Sequence, residues 1–463
     1  MLIATVAPQM KQQVRISLLA LILLLRCSSV FPAPTSRQQC GGALREVRAG
    51  YWLPSSSHYS PVSSIDTSLY SHVYYSSVSI DETHSTVAIP PGDESSTLYT
   101  FSRNVKSAGN NSAVKTVLSI STDEYREDVS NAAFSRMAGD EGLRKVFVSS
   151  SIELARANGF DGLDLAWSFP ATQTDMQNLG VLLAEWRAEI MEESENNTSS
   201  EPLLLTATVY FSNHIFDRPD SNLNYPIDDI SNNLDWANVL TFGLRKNSNV
   251  TTADAPLYDK FSHFSASYGV VSWLDAGLPP CKLVMGIPLF GRSWFLRNKS
   301  KHGLGAPAAA AGTKQRKSNQ TGIIAYAEIE DYLKSESVLV THDNQSVADY
   351  FYSGDLWVSF DGAMVVHDKI EYLMNSRLLG YFLWTISFDD ANCTLSKQAS
   401  LSWHQHHDSI SSSQDGSGIM QQGGGNQYLH LSAGSTRSWH SETPICLLST
   451  ILVLVVLSFQ ERV

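Results

Sequence analysis

Residues 159–170 read GFDGLDLAWSFP. Two carboxylates stand here, Asp161 and Asp164, on what reads as the end of a buried strand. Alternate side chains of a strand share one face. A row of acids at alternate positions therefore presents several carboxyl groups to one site, which is what general acid and base chemistry requires. The row breaks off: the next two alternate positions hold Ala166 and Ser168. Asp164 cannot stand in for an acid at 168, because four residues of strand separate them by roughly 13 Å at ~3.3 Å per residue. Ser168 reads no better as a nucleophile. AWSFP lacks the glycine-flanked turn that exposes such a serine, and no histidine–aspartate partner is identifiable.

Something must hold this strand. Apolar, β-rich runs recur along the chain at 47–54, 72–80, 114–121, 160–167, 203–211, 238–244, 282–291 and 378–384. Amphipathic helical patterns lie between several of them. Over 141–158 the stripe contains Leu143, Val146, Phe147, Ile152 and Leu154; over 174–193 it contains Leu179, Leu182, Leu183, Trp186 and Ile190. Eight strands joined by crossover helices predict an α/β fold, a (β/α)8 TIM barrel spanning 34–403. The stretch between the seventh and eighth strands is too long for one helix, so a small α+β insertion is expected at about 296–365.

The termini have a different character. Lys11 and Arg15 precede the apolar run ISLLALILLL (16–25), so residues 1–33 read as a secretion signal, with Pro32 and Pro34 crowding the cleavage point at Ala33. Glycosylation sequons agree with that route, at Asn110, Asn196, Asn197, Asn249, Asn298, Asn319, Asn344 and Asn392. Residues 404–444, rich in Ser, Gly and Gln, read as a disordered linker. A C-terminal apolar segment follows at 445–459. Its fifteen or so residues give roughly 23 Å of helix, short of a ~30 Å hydrocarbon core. Small residues at Ser432–Gly434 suit a removable lipid-anchor signal, and a short membrane helix is the rival. Either makes the membrane a partner and predicts a secreted, cell-surface location.

A net charge of −13 with no long basic run excludes nucleic acid as an expected partner. Of five cysteines, Cys27 and Cys446 fall in the terminal apolar segments. Cys40, Cys281 and Cys393 remain, enough for one bridge whose pairing stays open. No CxxC or HExxH spacing suggests a metal, the three histidines of WHQHHD (403–408) read as solvated linker, and no cofactor is expected.

Taken together, FDGLDLAWSFP, LLLTATVYF, LPPCKLVMGIPLFGRSW, GIIAYAEI and LLGYFLWTISFDD make residues 45–402 resemble glycoside hydrolase family 18, in particular the plant class V chitinases and related chitinase-like receptor ectodomains. The resemblance implies an Asp-x-x-Asp-x-Asp-x-Glu motif on the fourth strand, here degenerate at Ala166 and Ser168 with Asp161 and Asp164 as remnants. In the family the glutamic acid protonates the leaving oxygen, and its neighbouring aspartate orients the substrate's N-acetyl group for attack. Where the family shows Met-x-Tyr-Asp after the sixth strand, this chain has Leu240-Thr241-Phe242-Gly243, with neither hydroxyl nor carboxylate. The family's Ser-x-Gly-Gly on the third strand is Ser119-Ile120-Ser121-Thr122.

The expected protein is therefore a chitinase-like pseudoenzyme that binds N-acetylglucosamine oligosaccharides or another glycan. A protein-binding or inhibitory scaffold and a weakly active chitinase are the alternatives. The resemblance implies that Trp384 stacks a sugar ring. Tyr51, Trp52, Tyr210, Phe211, Phe290 and Trp294 lie at or near strand C-terminal ends, where a barrel binds ligands. For Trp52, Phe211 and Phe290, sugar contact and core packing are both open. Asp161 and Asp164 are expected to satisfy strand and loop donors.

Overall fold

The computed structural model describes residues 46–414 other than 90–92, 109–110, 112, 123–126, 198–200, 217–222, 246–247 and 335–337, and only the backbone of 93–95 and 407–414. The expected signal, most of the linker, the C-terminal apolar segment and Asn110 lie outside these residues. Met1–Ser411 and Ser412–Val463 are separate units, and the fold below is that of the first.

In chain order the first half contains β1 (Val47–Trp52), β2 (His72–Ile80), β3 (Val87–Ala88), α1 (Asp93–Ser107), β4 (Lys115–Ser121), α2 (Glu127–Gly139), α3 (Glu141–Ala157), β5 (Gly162–Ala166) and α4 (Gln173–Asn196). Next come β6 (Leu204–Val209), β7 (His214–Ile215), β8 (Leu223–Asn224), α5 (Ile227–Asn233), β9 (Trp236–Val239), α6 (Ala266–Asp275) and β10 (Leu283–Pro288). An inserted lobe contains β11 (Phe290–Leu296), β12 (Ala308–Ala311), β13 (Ile323–Ala325), α7 (Tyr326–Leu333), β14 (Thr341–Asp343), β15 (Ala348–Ser353) and β16 (Leu356–Phe360). The barrel resumes with α8 (Ala363–Asn375), β17 (Gly380–Trp384) and α9 (Thr394–Gln414).

Eight strands, β1, β2, β4, β5, β6, β9, β10 and β17, pair in parallel, and β1 closes the ring by pairing with both β2 and β17. This is the expected TIM barrel. The strands are apolar on both faces because helices cover one and the barrel interior fills the other. Two sets of buried side chains result. Val47, Ala49, Tyr51, Tyr74, Val117, Trp236, Val284 and Phe382 form one cluster. Trp52, Val73, Tyr75, Leu163, Leu165 and Leu205 belong to the larger core with the helices. The period of two along each strand assigns one neighbour inward and the next outward.

Helix starts follow from local chemistry. α4 opens on a capping box between Thr172 and Asp175, which satisfies two otherwise orphaned amides. α3 opens on Asp140, whose side chain accepts from the Leu143 amide. On α4 the expected stripe of Leu179, Leu182, Leu183, Trp186 and Ile190 is buried. On α3, Phe147 and Ile152 are buried but Val146 is 42% exposed, because it stands beside the buried stripe rather than in it.

Two expected boundaries move. The insertion begins at Phe290, earlier than 296, because β11 follows β10 after the single residue Leu289 and already pairs with β13 and β16. It ends near Phe360, since Ala363 onward is barrel helix. The linker expected from 404 is helical as far as Gln414. Leu395, Ala399 and Trp403, at helical spacing, are buried, and the Trp403 indole donates to Glu46 at 2.9 Å. Cys281 is disulfide-bonded and Cys393 is a free thiol, so Cys393 takes no part in the expected bridge.

Candidate functional site

The strand alternation sets what faces the barrel axis. Asp164 and Ala166 of β5 point inward between Ser119 and Ser121 of β4 on one side and Thr206 and Thr208 of β6 on the other. Asp164 is fully buried. Its carboxylate accepts from Ser119 Oγ (2.8 Å), Thr206 Oγ1 (2.8 Å), Thr208 Oγ1 (3.1 Å), the Tyr51 hydroxyl (3.3 Å) and Asn238 Nδ2 (3.5 Å). Burial raises its pKa above the ordinary aspartate value, and these donors oppose the rise. Tyr51 stacks on Tyr74 with ring centroids 4.3 Å apart, and its own hydroxyl is pushed far upward by burial and by Asp164. Such a group holds the barrel together and offers nothing to a ligand.

Asp161 lies at the opposite end of β5. It accepts from the Thr116 amide (2.7 Å) and hydroxyl (3.2 Å) and pairs with Lys106 (2.8 Å) and Lys115 (3.7 Å). Both remnant carboxylates are thus occupied with strand and loop donors.

Above Asp164, at the C-terminal mouth, the acids stop. Ala166 and Ser168 are partly buried. The Ser168 amide donates to Thr122 Oγ1 (2.9 Å), and its carbonyl accepts from Asn131 Nδ2 (2.9 Å), so the turn is tied to the β4 side. Ser168–Phe169 is a cis peptide, as are Ser76–Ser77 and Trp384–Thr385. Ser77 and Ser121 share a hydrogen bond at 2.5 Å. Ser77 was missed from sequence, because strict alternation from His72 points Ser76 inward and the pairing of β2 with β4 shifts register between Ser76 and Val78.

Phe242 and Gly243 follow β9, which ends at Val239 rather than continuing to 244. The Phe242 ring packs near Phe290 (5.8 Å), Phe382 (6.0 Å) and Trp384 (6.4 Å, planes 28° apart). Gly286 makes that possible, since a Cβ there would stand 2.6 Å from Phe382 and 2.7 Å from Phe242. Gly243 has φ +69 and donates its amide to Asp254 at 3.0 Å. Asp254 is the carboxylate next in line to serve the mouth, but it is 5% exposed and paired with Arg292. Sequence reasoning missed this pair, whose members lie on different elements and are joined only by the fold.

The aromatic candidates divide. Trp384 is partly exposed, and its ring lies 5.2 Å from that of Tyr51, its partner on the neighbouring strand. Tyr210 is 7% exposed and edge-on to Phe169. Phe290 is 7% exposed and edge-on to Phe242. Three others are core residues: Trp52 and Phe211 take the core-packing alternative of the two left open, and for Trp294 this corrects the reading as a ligand contact. Trp52 is the outward neighbour of Tyr51, fully buried against Tyr75 and Phe101. Phe211 packs with Phe216 and Phe264. Trp294 lies inside the lobe against Trp357, its indole donating to the Ser248 carbonyl. Tyr51, also buried, supports the floor from beneath. Among the described sequons, Asn196, Asn197, Asn249, Asn298, Asn319, Asn344 and Asn392 are all exposed.

The mouth can therefore offer an apolar floor and hydroxyls, and it offers no free carboxylic acid among the residues described. No described helix is long and apolar enough to cross a membrane.

A family model, glycosyl hydrolases family 18, matches residues 47–389. Nod factor hydrolase protein 1 of Medicago truncatula is 36% identical over 363 residues, 77% of this chain and 90% of that protein. The class V chitinase of Arabidopsis thaliana is 34% identical over 79% of this chain and 92% of its own length. Among solved structures, a mutant class V chitinase from Nicotiana tobaccum in complex with NAG4 aligns with TM-score 0.71 and 36% identity, covering 78% of this chain and 99% of the other. The chitinase-like agglutinin RobpsCRA from Robinia pseudoacacia aligns with TM-score 0.68 and 32% identity, covering 77% and 99%.

Proposed function

Because the chain belongs to glycosyl hydrolases family 18, in its class V chitinase-like group, we propose that it is a secreted, cell-surface protein that binds N-acetylglucosamine oligosaccharides without cleaving them. The observation that carries this reading is the barrel mouth itself. At 166 and 168, where the family motif sets a carboxylate pair, stand a methyl group and a hydroxyl, and the nearby carboxylate of Asp254 is buried against Arg292. A serine hydroxyl is too weak an acid to protonate a glycosidic oxygen, and loss of a general acid alone costs about 10²–10⁴ in rate. The missing carboxylate at 166 and the missing hydroxyl at 242 remove the groups that would position an attacking N-acetyl group.

Binding has support that catalysis lacks. Trp384 and Phe242 place two aromatic rings side by side, 6.4 Å between centroids and inclined by 28°, and aromatic faces suit the apolar faces of sugar rings. One solved relative is a class V chitinase holding NAG4, and another carries the name chitinase-like agglutinin. The seven exposed sequons suit a glycosylated protein of the secretory route.

Calorimetric titration of the purified protein with a chitin hexamer, followed by analysis of the mixture for shorter products, tests the proposal. Saturable binding with the hexamer intact is expected. Shortened products would overturn the loss of hydrolysis. An absence of binding heat would overturn the glycan reading and point to a protein ligand.

A further inference from the structure

The barrel mouth is one place where this chain could hold a ligand; the junction of the last two helices is another. On α8, His367, Asp368 and Glu371 each offer a ligand atom, and these atoms all lie within 4.8 Å of one another. His367 Nε2 stands 3.7 Å from Glu371 Oε1, one helical turn along. From those elements we infer that His367, Asp368 and Glu371 form a binding site for a divalent transition-metal ion of the zinc class.

Three features outside the triad support this. First, the other ring nitrogen of His367 is already engaged: Nδ1 is 3.0 Å from the hydroxyl of Ser402, a buried residue of α9. Ser402 also accepts from Gln398 at 2.9 Å, so its position is fixed from its own helix. Metal-ligating imidazoles are oriented in this way, with one nitrogen held by a neighbour and the other turned to the ion. Second, the nitrogen left over is the one directed at a carboxylate. In the metal-free protein a proton on Nε2 faces this carboxylate, and a divalent ion that displaces the proton would meet both ligand atoms at once. Third, the site opens onto space. Asp368 and Glu371 line a cavity of about 450 Å³ together with Tyr258, Tyr372 and Asn375. Three protein ligands beside open volume leave coordination positions for water or a further ligand.

The ligand chemistry selects the ion. One imidazole and two carboxylates suit zinc, copper or nickel, whereas calcium and magnesium prefer all-oxygen shells. Bonds of ~2.0–2.2 Å at tetrahedral angles set ligand atoms roughly 3.4 Å apart. The 3.7 Å pair is near that already, and Glu371 is exposed enough to close the remaining gap by rotation.

The test is titration of zinc chloride into the full glycoprotein after chelator treatment, with melting temperature measured in parallel. One zinc ion per chain is expected, with a rise in melting temperature, because an ion that binds only the folded state stabilises it. Glu371→Gln alters an exposed side chain and leaves the metal-free melting temperature unchanged, yet zinc affinity falls at least tenfold. His367→Ala abolishes binding, and Ser402→Ala weakens it by about tenfold through loss of ring orientation. Replacing His404, His406 and His407 together leaves binding intact. The site is overturned if the parent protein takes up no zinc, if Glu371→Gln and His367→Ala bind as it does, or if binding disappears only in the triple-histidine variant.

Discussion

Asp164 lies in β5 and Ser168 two residues beyond its end, and their surroundings could hardly differ more. Around Asp164, five donors from four other strands converge on one carboxylate that no solvent reaches. Around Ser168, the polar contacts run through the backbone, to Thr122 and Asn131, and its hydroxyl is not part of any acid–base pair. The lower layer of the barrel has retained the polar residues that a closed ring of strands needs. The upper layer presents Ala166 and Ser168 where the lower presents a carboxylate. The two layers therefore serve different ends in this barrel: the interior network answers to folding, and the mouth is where the proposed binding without cleavage is to be tested.

The sharpest break of that contrast is Asp164→Ala. It removes the shared acceptor of four hydroxyls and an amide in a dry interior, and it should cost about 2–4 kcal/mol, since each buried donor left short of a partner costs roughly 1–3 kcal/mol. Ser168→Ala should change stability by less than about 0.5 kcal/mol, as expected away from buried partners. Denaturant unfolding of the two variants measures both, and equal losses would erase the distinction between the layers.

Next in size is restoration. Ala166→Asp with Ser168→Glu, Phe242→Tyr and Gly243→Asp returns the acid and its supports to an intact scaffold. Hydrolysis of a chitin hexamer should rise by about 10² over the parent protein, the lower range for general-acid catalysis. A flat rate would show that the mouth differs from a hydrolytic one in more than these four side chains.

Smaller again is Trp384→Ala, expected to weaken hexamer binding by about tenfold, from the ~1–3 kcal/mol of stacked aromatic contact. The melting temperature should fall only slightly, because Trp384 is the partly exposed member of its cluster. Unchanged affinity would remove it from the sugar floor.

The smallest effect is on pH dependence. Burial raises the Asp164 pKa, so the native state keeps this proton to higher pH than the unfolded chain does. Its contribution to stability is complete below the unfolded value and declines as pH rises through the folded one. Asp164→Asn, which titrates in neither state, should flatten that part of the stability–pH curve.

The barrel was legible because its strands announce themselves as apolar runs and its helices as stripes. Within a strand the sequence carried more than a tally of aromatics reveals. Tyr51 and Trp52 are neighbours, as are Tyr210 and Phe211, and a period of two sends one of each pair inward and the other beneath a helix. Applied strictly, that rule would have removed Trp52 and Phe211 from the ligand face. The missing acids were readable from four letters, because a motif on one strand is local. Asp254 with Arg292, and His367 with Ser402, were not: each pair joins elements whose proximity exists only after the chain has folded. The start of the lobe at Phe290 was obscured for a related reason. β10 and β11 form one continuous apolar run, and only antiparallel pairing with β13 and β16 reveals where the barrel strand ends.

The pairing of β1 with β17 bears on how such a molecule comes into being. Val47 to Tyr51 match Gly380 to Trp384 residue by residue, and Gly380 lies so close to Val47 that a Cβ would stand 1.8 Å from its carbonyl oxygen. The first strand to leave the ribosome thus waits for almost the last. Until β17 emerges, one edge of β1 has no native neighbour, and a growing parallel sheet with an open edge is prone to pair with the wrong chain. Ring closure thus joins the two ends of the domain and must wait until nearly all of the chain between them has been made.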